Sequence, residues 1–192
     1  MNLQKFLKAL TRRLYKNPPI IDYYAAVNVI FPLDNDPSVI LIEKSNRIGD
    51  FWRGDIAFPG GRRMEYEFNP IETALRESCE EIGICRDDIS VLGVLKPVIS
   101  LFKFHVTVIP VVSILKRRGN IVFNINPYEV SRVFLVPLSK LQYTYSFIDK
   151  AMIYTEAYQA PNVIDKPIWG ITKRILDMIL KIYRELLRKE HI

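Results

Sequence analysis

The chain has 192 residues, with 27 lysines and arginines against 21 aspartates and glutamates, a net charge of +6, and 49% hydrophobic against 25% charged residues. That balance excludes an intrinsically disordered chain, no apolar run is long enough to cross a bilayer, and the length suits one domain or one domain with a helical appendage. The only cysteines, Cys79 and Cys85, supply neither a disulfide framework nor zinc-ligand spacing, so a reducing, cytoplasmic setting is expected, and the positive charge suits polyanionic ligands.

In chain order, the first predicted element is a basic amphipathic helix within residues 1–18. Leu3, Phe6, Leu7, Leu10 and Leu14 form an apolar stripe opposite Lys5, Lys8, Arg12, Arg13 and Lys16, and none of the first sixteen residues is acidic. Most such stripes are buried against protein, so packing on the main domain or a second subunit is expected ahead of a membrane-surface or targeting role. Residues 19–192 make up the main domain. Strands are predicted over 23–31 and 39–43, around a Pro/Asp/Asn turn at 32–37, and again over 89–98 and 106–115. His105, beside the last of these, reads as a structural histidine rather than a base. A turn at 117–120 leads into a further short run at 121–125, and 130–137 is another β-rich stretch. Residues 168–189 carry Ile171, Ile175, Leu176, Ile179, Ile182, Tyr183 and Leu186 at helical spacing. Strands around one acidic helix, with a long C-terminal helix for the other face, predict an α/β fold: a three-layer α/β/α sandwich with a mixed sheet and an extra N-terminal helix. The strand order stays open.

The acidic helix is bounded by local signals. Asn69 is a good N-cap, Pro70 fits the first helical position, Glu72 is spaced for a capping box, and Gly83 closes the end. Within 70–82, Ile71, Leu75, Ser78, Cys79 and Ile82 gather on one side, and Glu77, Glu80 and Glu81 fall within about 100° of arc on another. Like charges at i and i+4 destabilise a helix by roughly 0.2–0.5 kcal/mol, so three acids together need a cation. Arg76 supplies part of it, near Glu72 and Glu80 on the helical wheel. All-oxygen ligation suits Mg²⁺ or Mn²⁺ for the rest. Gly60 and Gly61 precede the helix in a Phe-Pro-Gly-Gly turn, where absent side chains let backbone approach a metal or phosphate.

This stretch resembles the signature of the Nudix hydrolases, G-x5-E-x7-R-E-U-x-E-E-x-G-U with U a bulky aliphatic residue. Gly61, Glu67, Arg76, Glu77, Glu80, Glu81, Gly83 and Ile84 match it. Two departures stand out: eight residues rather than seven separate Glu67 from Arg76, and Ser78 holds the first aliphatic position. The resemblance implies that Glu77 and Glu81 bind metal, that Glu80 binds a second ion or handles the attacking water, that the Gly60 carbonyl is a further ligand, and that Arg76 orients the acids. Upstream, residues 41–45, Arg47 and residues 52–61 resemble the extended motif of the coenzyme A pyrophosphatase-like branch, with Lys44 standing where that motif carries an arginine. Residues 168–176, I-W-G-I-T-K-R-I-L, resemble its C-terminal element.

The resemblance implies metal-dependent hydrolysis of a pyrophosphate linkage, with coenzyme A or an acyl derivative as the leading substrate. ADP-ribose, NADH or a dinucleoside polyphosphate is the nearest rival, an oxidised-nucleotide triphosphatase a more distant one, and a non-catalytic nucleotide-sensing domain the alternative outside enzymes. The expected partner is a small nucleotide rather than a nucleic acid, with a homodimer possible. Hydrolysis needs a proton acceptor, for which Glu129 is a candidate, its other reading being a solvated loop acid. Arg47, Arg53, Arg62 and Arg63 lie near the glycine turn, and guanidinium groups suit phosphate recognition, though at least two of them are expected to face solvent.

Overall fold

Local signals in the sequence start and stop most of the elements. Asn2 caps α1 (Leu3–Thr11), its side chain accepting a hydrogen bond from the Gln4 amide. Strands β1 (Ala25–Phe31), β2 (Ser38–Lys44), β3 (Ile56–Ala57) and β4 (Gly60–Arg62) lead to α2 (Pro70–Ile82). Then come β5 (Ile89–Val94), β6 (Val98–Ile99), β7 (Thr107–Leu115), β8 (Val130–Pro137), β9 (Gln142–Ile148), β10 (Ile153–Ala160), β11 (Ile164–Ile168) and α3 (Gly170–Glu190). This computed structural model describes residues 1–18, 21–100 and 106–190, so His105 lies outside the described residues.

The strands form a mixed sheet of order β4-β1-β7-β5, with β6 also on β7, and two antiparallel sheets of order β3-β2-β8 and β11-β10-β9. Among the described residues the one parallel pair is β1 with β7, in register from Ala25 opposite Val108 to Phe31 opposite Ile114. Alternation along the strands feeds two cores. Val29, Phe31, Val39 and Leu41 join a cluster with α1 and α3, whose Ile175, Leu176, Ile179 and Tyr183 lie in it. Ile30, Ile40 and Ile42 face the other way, with Leu75 and Ile82 of α2. The result is the expected α/β/α layering, with α2 alone on one side and α1 and α3 together on the other. Phe6 of α1 sits between Phe31 and Tyr183, at ring distances of 5.5 and 6.1 Å. The apolar stripe is thus spent on the domain itself, and Lys5 and Arg13 pair with Glu190 and Glu185 of α3. Among the described residues, no helix is long and apolar enough to cross a membrane.

Four local features differ from the sequence-based expectation. Residues 121–125 are not a strand: Asn124 and Asn126 donate their amides to the carbonyls of Ile82 and Glu81, at 3.1 and 2.9 Å, so this segment closes the end of α2. Glu72 pairs with Arg86 at 3.2 Å, and the Asn69 side chain caps the Ile71 amide. Cys79 and Cys85 are joined in a disulfide, with Cα atoms 4.4 Å apart. The cause is the turn between them. Gly83 takes the left-handed conformation (φ 71°), and its amide and that of Ile84 bond back to Cys79 and Ser78, folding Cys85 against the last turn of α2. Strands β9, β10 and β11 have no counterpart in the predicted elements. In β9, Tyr143, Tyr145 and Phe147 alternate onto one half-exposed face at a sheet edge.

Ser78 also finds its explanation here. It is fully buried, donates to the Ala74 carbonyl (2.9 Å) and accepts from the Asn28 side-chain amide of β1 (3.1 Å). A polar pair therefore replaces the apolar contact between helix and sheet.

Candidate active site

The turn of α2 that carries Glu77 and Glu81 rests on the backbone of β4, and glycine makes that contact possible. A Cβ on Gly61 would lie 2.5 Å from the Glu77 carboxylate, and one on Gly60 (φ 153°) would lie 2.5 Å from the Ala26 carbonyl. The Gly60 amide donates to Glu81 at 2.8 Å, and Lys44 at the end of β2 reaches the other oxygen of the same carboxylate at 3.3 Å. Glu81 is wholly buried. Burial drives its pKa up to about 7, against the opposing pull of Lys44 and the Gly60 amide. Burial also raises Glu77, with Arg76 opposing. Lys44 would be lowered by its own burial, but Glu81 outweighs that and holds it protonated, above its ordinary value.

Arg76 is the hub of the acids. It donates to Glu67 (2.7 Å), Glu77 (2.9 Å), Glu80 (2.8 Å) and the Arg62 carbonyl (2.9 Å). Glu67 also accepts from the Met64 amide and the Thr73 hydroxyl, both at 2.8 Å. Its hydrogen bond with Arg76 is the main reason its pKa falls to about 2, against the effect of burial. The extra residue between Glu67 and Arg76 falls in the loop before the helix and leaves this contact intact.

The third acid at the centre comes from a loop. Carboxylate oxygens of Glu77, Glu81 and Glu129 all lie within 4.8 Å of one another. Glu129 is delivered by a register shift between β2 and β8 at Glu43/Lys44, and by the Ser45 amide, which donates to the Glu129 carbonyl at 2.9 Å. Three carboxylates meet Lys44 and a share of Arg76, which leaves an excess of negative charge. A hard divalent cation fits this all-oxygen donor set. Glu80 stands outside the trio, half-exposed and held by Arg76.

Glu77 and Glu129 open onto a cavity of about 750 Å³. Arg47 and Arg62 line it; Arg53 and Arg63 do not, and the Arg53 carbonyl accepts from Lys150 (3.1 Å). Its far wall carries Trp52 and Trp169, with ring centroids 6.2 Å apart. Asp55 fixes that wall, accepting from the Trp169 indole (3.1 Å) and from Lys150 (2.6 Å) at the tip of the β9–β10 hairpin. Lys44, Trp52, Asp55 and Trp169 were not singled out as site residues from sequence. Their signal in the sequence is membership in the stretches that resemble the coenzyme A branch, 41–45 and 52–61 before the acidic helix and 168–176 far beyond it.

Comparison with known proteins gives a consistent result. A family model described as the NUDIX domain matches residues 22–155. The uncharacterized Nudix hydrolase NudL of Yersinia enterocolitica is 32% identical over 162 residues, 80% of this chain and 78% of that protein. The human mitochondrial coenzyme A diphosphatase NUDT8 is 28% identical over 191 residues, 95% of this chain and 77% of that protein. Among solved structures, a MutT/nudix family protein from Enterococcus faecalis superposes with a TM-score of 0.52 at 17% identity, covering 98% of this chain and 70% of that one, which is a likeness of fold.

Proposed function

The chain belongs to the Nudix hydrolases, and on that premise we propose that this pyrophosphohydrolase cuts the diphosphate of coenzyme A or an acyl-CoA, giving a phosphopantetheine fragment and adenosine 3′,5′-bisphosphate. One observation carries the choice of substrate. Trp52 and Trp169, from the two stretches that resemble the coenzyme A branch, meet across one wall of the cavity that also holds Glu77 and Glu129. An apolar wall facing an acidic cage suits a molecule with a diphosphate at its middle and a long, weakly polar arm. The name of the human relative favours the same substrate.

Glu77, Glu81 and Glu129, with the Gly60 carbonyl, would hold Mg²⁺ or Mn²⁺, which when bound neutralises charge on the diphosphate and acidifies water. Glu77 is hydrogen-bonded to Arg76, and Glu81 to Lys44 and Gly60. Glu129 has no such side-chain bond among the described residues, and so is the acid freest to take the proton of the attacking water. Arg76 keeps Glu77 and Glu80 in place, Arg47 steadies the diphosphate, and Arg62 meets another part of the substrate from the cavity wall. A panel of coenzyme A, acetyl-CoA, ADP-ribose, NADH and diadenosine tetraphosphate, incubated with Mg²⁺ or Mn²⁺ and read by product mass, tests the reading. Fastest turnover of the coenzyme A thioester or thiol is expected, and fastest turnover of ADP-ribose or NADH overturns the substrate.

A homodimer is also proposed, through β9. This edge strand of seven residues carries no charge and no proline, and such edges are normally protected. Pairing with its own copy about Tyr145 would extend the sheet and join two aromatic faces. Sedimentation should show a dimer that Tyr145→Lys converts to monomer, and a wild-type monomer at high concentration removes the idea.

A further inference from the structure

Beside the catalytic cavity lies a second of about 380 Å³, lined by Asp22, Tyr23, Tyr24, Arg62, Arg63 and Thr107, together with Val106. The two cavities share Tyr24, Arg62 and Val106, so they adjoin along these residues. Strand β4 runs along both. Gly60 and Gly61 touch the buried acids, and the next two residues place their guanidinium groups over tyrosine rings, Arg62 at 5.0 Å from Tyr24 and Arg63 at 5.4 Å from Tyr23. The backbone beneath them is tied down at 2.9 Å by Arg76 to the Arg62 carbonyl and at 3.0 Å by the Arg63 amide to Tyr24.

Charge sets the ligand. Arg63 is paired with the exposed Asp22 at 3.2 Å, whereas no carboxylate pairs with Arg62 among the described residues. A pocket with two arginines and one aspartate keeps a net positive charge next to a cage of opposite sign. Stacked guanidinium groups have already lost much of their rotational freedom, so less is lost when they bind. Their forked donors match the oxygens of a phosphate monoester.

We propose that this smaller cavity is a subsite for a second phosphate of the substrate, a monoester on the nucleoside ribose, with Arg62 as its main contact and Arg63 as its second. The inference rests on the diphosphate-hydrolase reading for what fills the larger cavity, and it adds where the separate ribose phosphate is held and which residues make a nucleotide that carries it preferred over one with the diphosphate alone.

Two measurements separate the subsite from the reading it rests on. Calorimetry compares adenosine 3′,5′-bisphosphate with AMP on the wild-type protein, Arg62→Ala and Arg62→Lys. Wild type should bind the bisphosphate about tenfold more tightly, Arg62→Ala should bring that ratio near one, and Arg62→Lys should restore part of it. Steady-state kinetics compares kcat/KM for coenzyme A with that for dephospho-coenzyme A, and the same ratio should collapse in Arg62→Ala. Equal binding of the two nucleotides by wild type overturns the subsite, as does an Arg62→Ala that weakens both equally, since Arg62 would then be contacting the diphosphate. If the bisphosphate is preferred but coenzyme A is not hydrolysed, the subsite stands and the substrate reading falls. If coenzyme A and its dephospho form are hydrolysed alike, the reading stands and the subsite falls.

Discussion

Replacing Glu81 by glutamine keeps the shape of the side chain and an acceptor for the Gly60 amide, but removes a charge that the fold has taken out of water. Burial raises the Glu81 pKa from 4.5 to about 7 in the folded chain, and that difference corresponds to about 3 kcal/mol. The sign follows from proton counting. Between these two values the native state holds a proton that the unfolded state has released, so stability is full below pH 4.5 and falls as pH rises to about 7. At pH 8 the glutamine variant escapes that loss. That loss is already net of the attraction of Lys44, 3.3 Å away, which holds the Glu81 pKa below where burial alone would put it. The metal-free variant should therefore exceed wild type by about 3 kcal/mol at pH 8. At pH 5, where native Glu81 is as neutral as glutamine, the two should nearly coincide. Glu67, held ionised down to about 2, titrates outside this window, and Glu77 is common to both proteins. Urea unfolding in EDTA at the two pH values measures the difference. Calorimetry with Mn²⁺ and the turnover assay should show the functional cost, with uptake weakened at least about tenfold and hydrolysis nearly abolished. A variant that gains nothing at pH 8, or that binds Mn²⁺ as wild type does, refutes the reasoning.

Gly61→Ala should abolish hydrolysis while far-ultraviolet circular dichroism stays native, because the new methyl would occupy the space 2.5 Å from the Glu77 carboxylate; wild-type turnover would show that Glu77 need not rest on β4. Ser78→Val, which supplies the aliphatic residue of the family signature, should lower stability in urea by about 1–3 kcal/mol because the Asn28 amide loses its buried acceptor. Adding Asn28→Leu should recover most of that loss. Thiol titration of the unreduced, unfolded protein should find no free cysteine, and Cys79→Ser should cost roughly 2 kcal/mol by the loop-closure argument; two titratable thiols would contradict the pairing.

The sequence by itself determined α2 and its chemistry. Asn69, Pro70 and Gly83 act on their immediate neighbours, so the helix ends where those residues place its ends. The 3.6-residue turn then puts Glu77 and Glu81 on a common flank without reference to the rest of the chain. The amphipathic stripes of α1 and α3 and the alternation in β1 and β2 were legible for the same reason: each is a short-range pattern with one buried side. Spacing along the chain could not say which distant residues converge. Glu129 joins the trio only because β8 pairs with β2 through a shifted register, and Lys44 meets Glu81 only because β2 ends beside β4. Chain reversal likewise decided the disulfide, since Cys79 and Cys85 read as unrelated until Gly83 turns the backbone back on itself. Residues 121–125 look β-rich in isolation, yet the unpaired carbonyls at the end of α2 claim their amides first. Arg62 shows both limits at once. Its neighbourhood to the glycine turn was visible in the chain, while its stacking on Tyr24 and its place between two cavities arise from the pairing of β4 with β1, a contact between residues too far apart in sequence for any local pattern to record.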